Sequence, residues 1–266
     1  MSTSSSLHPE LLDHIADHLH DKPATLRACC LVSKSWIPRT RRYLFFHVSF
    51  YSSEPFNSWM RTFPDPSNSP ACYTRSLRLA SLEVLTVAVS DAFPWVRSFN
   101  RILELEVSTR GEGDGDISFT RLHGLSSTLK SLQLYYFFAP PPEVINFICS
   151  FPALEDLSLC SPEDLEREKC DDWDTPPTSP RFTGSLFLHY NDRQITRKLL
   201  DLPGGLHFSK VSVLSFSQDG DLVKKLVSKC SDSLESLCVE FDRGAFSTIS
   251  VVDRYLIALC RCTLSW

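Results

Sequence analysis

The sequence predicts an α/β chain in which three short helices precede an irregular stack of alternating strands and helices. Three observations carry that expectation. Three heptapeptides, TLKSLQL at 128–134, ALEDLSL at 153–159 and SLESLCV at 233–239, nearly copy one another, and each ends in the period-two alternation of a half-buried strand. Segments with apolar residues at helical steps fill several of the gaps between such stretches. The first forty-odd residues carry the helical period alone.

The elements follow in order. In HPELLDHIADHLHD, Leu11, Leu12, Ile15 and Leu19 share one helical face. Pro9 suits the first turn, where its missing N–H is not needed, and Asp21-Lys22-Pro23 ends the helix. ATLRACCLV gives a second short face from Leu26, Cys29 and Cys30. Ser33 or Ser35 caps a third helix that runs through Trp36 towards Leu44, with Pro38 in its first turns. SSEPFNSWMRTFPDPSNSP, at 52–70, is rich in Pro, Ser and Asn and reads as a loop or junction.

From Leu77 onward the chain repeats. Looser copies of the strand pattern occur at LEVLTV (82–87), RILELEV (101–107), GSLFLHY (184–190) and VSVLSFS (211–217). Strand centres then fall near Leu105, Leu132, Leu157, Leu186, Leu214 and Leu237, 23 to 29 residues apart. PPEVINFICSF, DRQITRKLLDLPGG and DGDLVKKLVSKCSDS supply helices between them. The segment at 160–184, acidic and then proline-rich, reads as a long surface loop in which Ser161, Thr175 and Ser179 precede proline. It is either a solvated insertion or a partner-binding or phosphorylated one. The apolar ending VVDRYLIALCRCTLSW leaves two readings open, a truncated product or a segment folding back as a helix. The organisation expected is a helical module at 1–50, a junction at 51–76 and the strand-and-helix stack at 77–266.

Composition narrows the function. With 42% hydrophobic and 22% charged residues, the chain of 266 can bury a sizeable core. A net charge of −5 argues against nucleic acid as the main partner. The start MSTSSSLHPE lacks the basic and apolar regions of a signal peptide, and no stretch reaches the roughly 20 apolar residues of a membrane span. Ten cysteines are scattered without a disulfide-scaffold layout, which places the chain in the cytosol or nucleus with most thiols as small buried hydrophobes.

Candidate chemistry is sparse. His14 and His18 stand four apart with His20, Cys29 and Cys30 downstream, yet no second matched ligand pair accompanies them, so they form the polar side of the first helix. GEGDGDIS fails as a calcium loop, because Ile117 falls where glycine is needed and His123 where glutamate is needed. Nucleophile-elbow, phosphate-loop and dinucleotide fingerprints do not occur, so no catalytic residue, cofactor or metal is expected. Lys34, Arg39, Arg41 and Arg42 read as a solvated helix face that meets an acidic partner protein.

In order and spacing, LHPELLDHIADHL, LRACCLVSKSW and RRYLFF resemble the F-box, especially its expanded fungal families. Pro9 sits one place later than that family's usual proline. The later units, a strand plus a helix every 23 to 29 residues, resemble leucine-rich repeats with an irregular asparagine ladder, since Phe137 and Pro162 stand at asparagine positions. Three helices in roughly 40 residues bury too little to stand alone, and Leu7, Pro9, Leu12, Ile15, Leu19, Leu26, Val32 and Trp36 exceed what so small a core hides. Some of these face either the repeats or another protein. The resemblance implies that this other protein, the partner of the helices, is a Skp-type adaptor, which links the chain to a cullin–RING ubiquitin ligase. The chain is then a non-enzymatic substrate-recognition subunit whose repeats hold a target protein. The alternative is an interaction scaffold with no link to ubiquitylation.

Overall fold

The computed structural model describes residues 8–88, 93–109, 119–123, 125–136, 139–160, 178–189, 193–214 and 220–240. Leu7, the acidic run at 111–118, the asparagine positions Phe137 and Pro162, most of the 160–184 segment and the C-terminal apolar run lie outside these residues.

Three helices open the chain: α1 (Pro9–His18), α2 (Pro23–Val32) and α3 (Ile37–Leu44). A proline stands in the first turn of each, where no N–H is missed. Ser33 is the capping residue between α2 and α3; its Oγ accepts from the Ser35 N–H at 3.3 Å and opens a 3-10 turn at Lys34–Trp36.

The rest of the described chain is an eight-stranded parallel sheet in which every strand pairs with its neighbours in sequence. Its strands are β1 (His47–Phe50), β2 (Ser76–Leu79), β3 (Glu104–Ser108), β4 (Ser131–Tyr135), β5 (Asp156–Cys160), β6 (Ser185–His189), β7 (Lys210–Leu214) and β8 (Ser236–Glu240). Helices α4 (Ser53–Thr62), α5 (Leu82–Ala88), α6 (Phe93–Arg97), α7 (Pro141–Cys149), α8 (Arg193–Leu200) and α9 (Gly220–Cys230) lie between them. Parallel neighbours need a crossover, and these helices supply it in five of the seven connections while covering one face of the sheet.

Register is uniform. Val48, Leu77, Leu105, Leu132, Leu157, Leu186, Val211 and Leu237 are successive partners, 25 to 29 residues apart. The apolar residue two positions later in each strand, Phe50 in β1 and an aliphatic in the others, points the same way, and both rows sink into one continuous core that also takes Val144, Ile148, Leu199 and Leu226 from the helices. A second ladder binds the units at the strands' N-terminal ends. There one carbonyl accepts two N–H groups from the next unit: Arg75 from Leu103 and Glu104 (2.7 and 2.9 Å), Leu103 from Lys130 and Ser131 (2.8 and 2.9 Å), and Ser209 from Glu235 and Ser236 (2.7 and 3.0 Å).

Five expectations are corrected. Residues 51–76 are not a bare junction, because α4 buries Phe56 completely and Ala71 is buried in the same core. The sheet begins at β1, inside the stretch assigned to the helical module. LEVLTV forms α5, not a strand: β2 ends at Leu79, which leaves no room for the crossover a parallel neighbour requires. In β7 the residue in register is Val211, and Leu214 lies three residues further on beside Glu240. The 160–184 segment is also less solvated than expected at its ends, since Cys160 closes β5 in a buried position and Phe182, fully buried, stacks on Phe208 at 5.0 Å.

Candidate functional site

The N-terminal helices hold a core of their own, distinct from that of the sheet: Leu12, Ala16 and Trp36, with Ile15, Cys29 and Tyr43 packed at its edge. Polar contacts fix its geometry. Asp13 pairs with the Arg39 guanidinium at 2.9 Å, and Asp17 accepts from both the Tyr43 hydroxyl and Arg42, so two carboxylates of α1 clamp α3. On the other flank the buried Thr40 hydroxyl donates to the Trp36 carbonyl at 2.9 Å and lies 2.8 Å from the Cys30 thiol, which ties α2 to α3. The basic run is therefore not a plain solvated face. Arg39, half-buried, and Arg42, at the surface, staple α3 to α1, while Lys34 stays exposed.

The Tyr43 hydroxyl, with Arg42 beside it, holds the Asp17 carboxyl below its ordinary 3.8. A carboxyl whose folded pKa is depressed stabilises the fold above its unfolded value, and the contribution is lost as pH falls through the folded value. The α1–α3 contact is expected to loosen as pH falls below 3.8. Amide exchange in α1 followed against pH checks this: Asp17→Asn should raise exchange at neutral pH and flatten the acid limb.

The eight residues singled out in the sequence fall into three groups. Leu12, Leu26 and Trp36 are buried, and Ile15 and Leu19 are half-buried. Pro9 and Val32 are exposed, and Leu7 lies outside the described residues. Sequence reasoning missed the most exposed apolar side chain of the group, Leu31, at 89% exposure; Val32 beside it stands at 77% and Leu11 at 45%. The outcome is a Leu31-Val32 pair projecting from the end of α2, flanked by the exposed cations Arg27 and Lys34. Packing inside the helices does not require that pair.

Other candidate chemistry is weaker. The His18 ring donates from Nδ1 to the His14 carbonyl at 2.9 Å and meets the His14 ring edge-on. Among the described residues no group of three His, Cys, Asp or Glu is placed to hold a metal. The seven cysteines among those residues are free, and only Cys160 and Cys230 are fully buried, fewer than the composition suggested. Cys160 Sγ lies 3.4 Å from His189 Nδ1 across β5 and β6, but burial pushes its thiol pKa up, away from a thiolate. Burial pushes Cys149 up to about 11. A groove of about 710 Å³ between α8 and α9 carries both signs of charge, Arg197, Lys225 and Lys229 against Asp201 and Asp221. The uncovered sheet face bears small and polar side chains, with Phe187 standing between Ser158 and Ser212. No helix among the described residues is long and apolar enough to cross a membrane. No family model and no curated protein matches this chain.

Proposed function

We propose that the chain is a substrate-recognition subunit of an SCF-type cullin–RING ubiquitin ligase, with an F-box at its N-terminus and irregular leucine-rich repeats behind it. The helices dock a Skp-type adaptor in the cytosol or nucleus, and the sheet face holds a target protein. The chain does no chemistry. It raises the effective concentration of the target near the charged enzyme.

One observation carries this reading. Leu31 and Val32 stand almost fully out in water at the end of a helix whose module has a three-residue core. Large apolar side chains left out of so small a core are what a partner protein would bury. The partial separation of that core from the sheet's core supports a docking module that is distinct from the part that holds the target.

Leu31→Asp combined with Val32→Asp tests it. Both side chains are exposed, so the helices keep their fold, while capture of a purified Skp-type adaptor by the full chain is expected to fall about 100-fold or more. Unchanged capture with intact helices would sink the docking assignment. Where capture is lost but deletion of the N-terminal 46 residues leaves the half-life of a bound target unaltered, the chain is a scaffold and not a ligase subunit.

A further inference from the structure

The helices that cover the sheet differ in charge. Together α4, α5, α6 and α7 carry three carboxylates, Glu54, Glu83 and Glu143, against two cations, Arg61 and Arg97. The pair α8 and α9 carries six cations, Arg193, Arg197, Lys198, Lys224, Lys225 and Lys229, against the single carboxylate Asp221. In a chain of net charge −5 this is a local reversal of sign, confined to two neighbouring helices.

Those helices also shape a receptacle. Each links parallel strands, so α8 and α9 run the same way side by side, with the groove of about 710 Å³ between them. Its floor is Leu200 and Leu222, both buried. Arg197 lines one wall from α8, and Lys225 and Lys229, one turn apart on α9, line the other; all three are exposed. Lys225 and Lys229 make no ion pair with any described residue, whereas Asp221 is matched by Lys224 at 3.3 Å. Asp201 follows the end of α8 and Asp221 lies at the start of α9, so each end of the groove carries a carboxylate.

These features choose among anionic partners. A nucleic-acid strand is held by cations along its length, but here the cations stop at two helices and its phosphates would meet a carboxylate at either end. Membrane insertion and base stacking need large apolar or aromatic side chains at the surface. Among the described residues none that is exposed lies on α8 or α9. A short peptide with its carboxylates in the middle satisfies both the cations and the carboxylate-marked ends.

We propose that the groove between α8 and α9 is a docking site for a short acidic peptide segment of a partner protein, whose carboxylates are set against Arg197, Lys225 and Lys229. The site lies on the helix-covered side of the sheet, opposite the face assigned to the target, and it stands or falls independently of adaptor docking.

Fluorescence anisotropy on the full chain tests the proposal. The probe is a fluorescein-labelled peptide of four consecutive glutamates with a lysine at each end, compared with the same peptide carrying glutamines and with a short oligouridylate. The glutamate peptide should bind in the micromolar range at low salt and weaken as salt rises, because exposed ion pairs are individually modest and screened. Lys225→Glu with Lys229→Glu should weaken it about 10-fold or more, and both side chains are exposed, so α9 keeps its fold. Arg61→Glu with Arg101→Glu, the same change of charge outside the groove, should leave binding within about twofold. Carbodiimide coupling of the bound peptide to the wild-type chain needs no variant and should place its amide links on Lys225 or Lys229. Absent binding of the glutamate peptide, equal binding of the glutamine peptide or tighter binding of the oligouridylate overturns the proposal. So does an equal loss in both pairs of substitutions, or coupling confined to other lysines.

Discussion

Phe147→Ala is expected to cost about 3–5 kcal/mol, which removes a large part of the roughly 5–15 kcal/mol that holds a typical domain folded. Phe147 is completely buried at the crossing of several elements. Its ring stacks on Phe119 at 4.7 Å and 10°, lies over His123 at 5.8 Å, and meets Phe151 edge-on at 5.0 Å. Phe119 belongs to the connection that follows β3, whereas Phe147 and Phe151 belong to the crossover between β4 and β5. One ring thus bridges two consecutive units. Urea unfolding of the full chain checks the magnitude. Phe147→Leu should recover about half of the loss, because it restores volume without the stacked face. A shift below about 1 kcal/mol for the alanine variant would mean that the stack bears little of the stability.

Much of the sheet was legible in the sequence because its physical cause is local. A strand buried on one face alternates, and Leu-x-Leu at β4, β5 and β6 does so without interruption. The SLRL of β2 carries the same signal. LEVLTV shows where local pattern fails. Leucine and valine at 82, 84, 85 and 87 satisfy either period, and what decides is a fact about the chain, not the segment: β2 ends three residues earlier, and the Ser81 hydroxyl accepts from the Val84 N–H at 3.1 Å to start a helix. The proline-rich stretch at 52–70 misled for a related reason. Pro55 lies in the first turn of α4 and Pro66 and Pro70 open 3-10 turns, so three of the four prolines start an element, and only Pro64 follows the end of one.

The candidate site was legible in kind but not in detail. Apolar excess in a small helical module is visible from composition; which side chains remain outside depends on how α1, α2 and α3 cross. Leu31 could still have been found. It lies five residues after the buried Leu26, about 140° around the helix, so a leucine there cannot join the face that Leu26, Cys29 and Cys30 define. Trp36 misled in the opposite sense. An aromatic beside basic residues suggests a contact surface, whereas the indole is the main body of the module's interior.

Trp36→Ala is accordingly expected to melt the helical module rather than to trim its surface. The indole is 9% exposed and is the largest of the three buried side chains of its core, beside Leu12 and Ala16, with Ile15, Cys29 and Tyr43 only at the edge. A truncation of this kind costs about 3–5 kcal/mol, which exceeds what three short helices hold in reserve. The Thr40 hydroxyl would also lose the fixed Trp36 carbonyl it donates to, and with it part of the α2–α3 contact through Cys30. The sheet should survive, because its core runs from Val48 to Cys230 without including any of these residues. Amide exchange separates the outcomes: α1–α3 should lose protection while β4 and β5 retain theirs. Retained protection in α1–α3 would show that the clamps from Asp13 to Arg39 and from Asp17 to Arg42 hold the helices without the core. The contrast with Leu31→Asp and Val32→Asp is then decisive for function. Both variants should lose adaptor capture, but only one should lose the helices, and that difference distinguishes a docking surface from the frame that supports it.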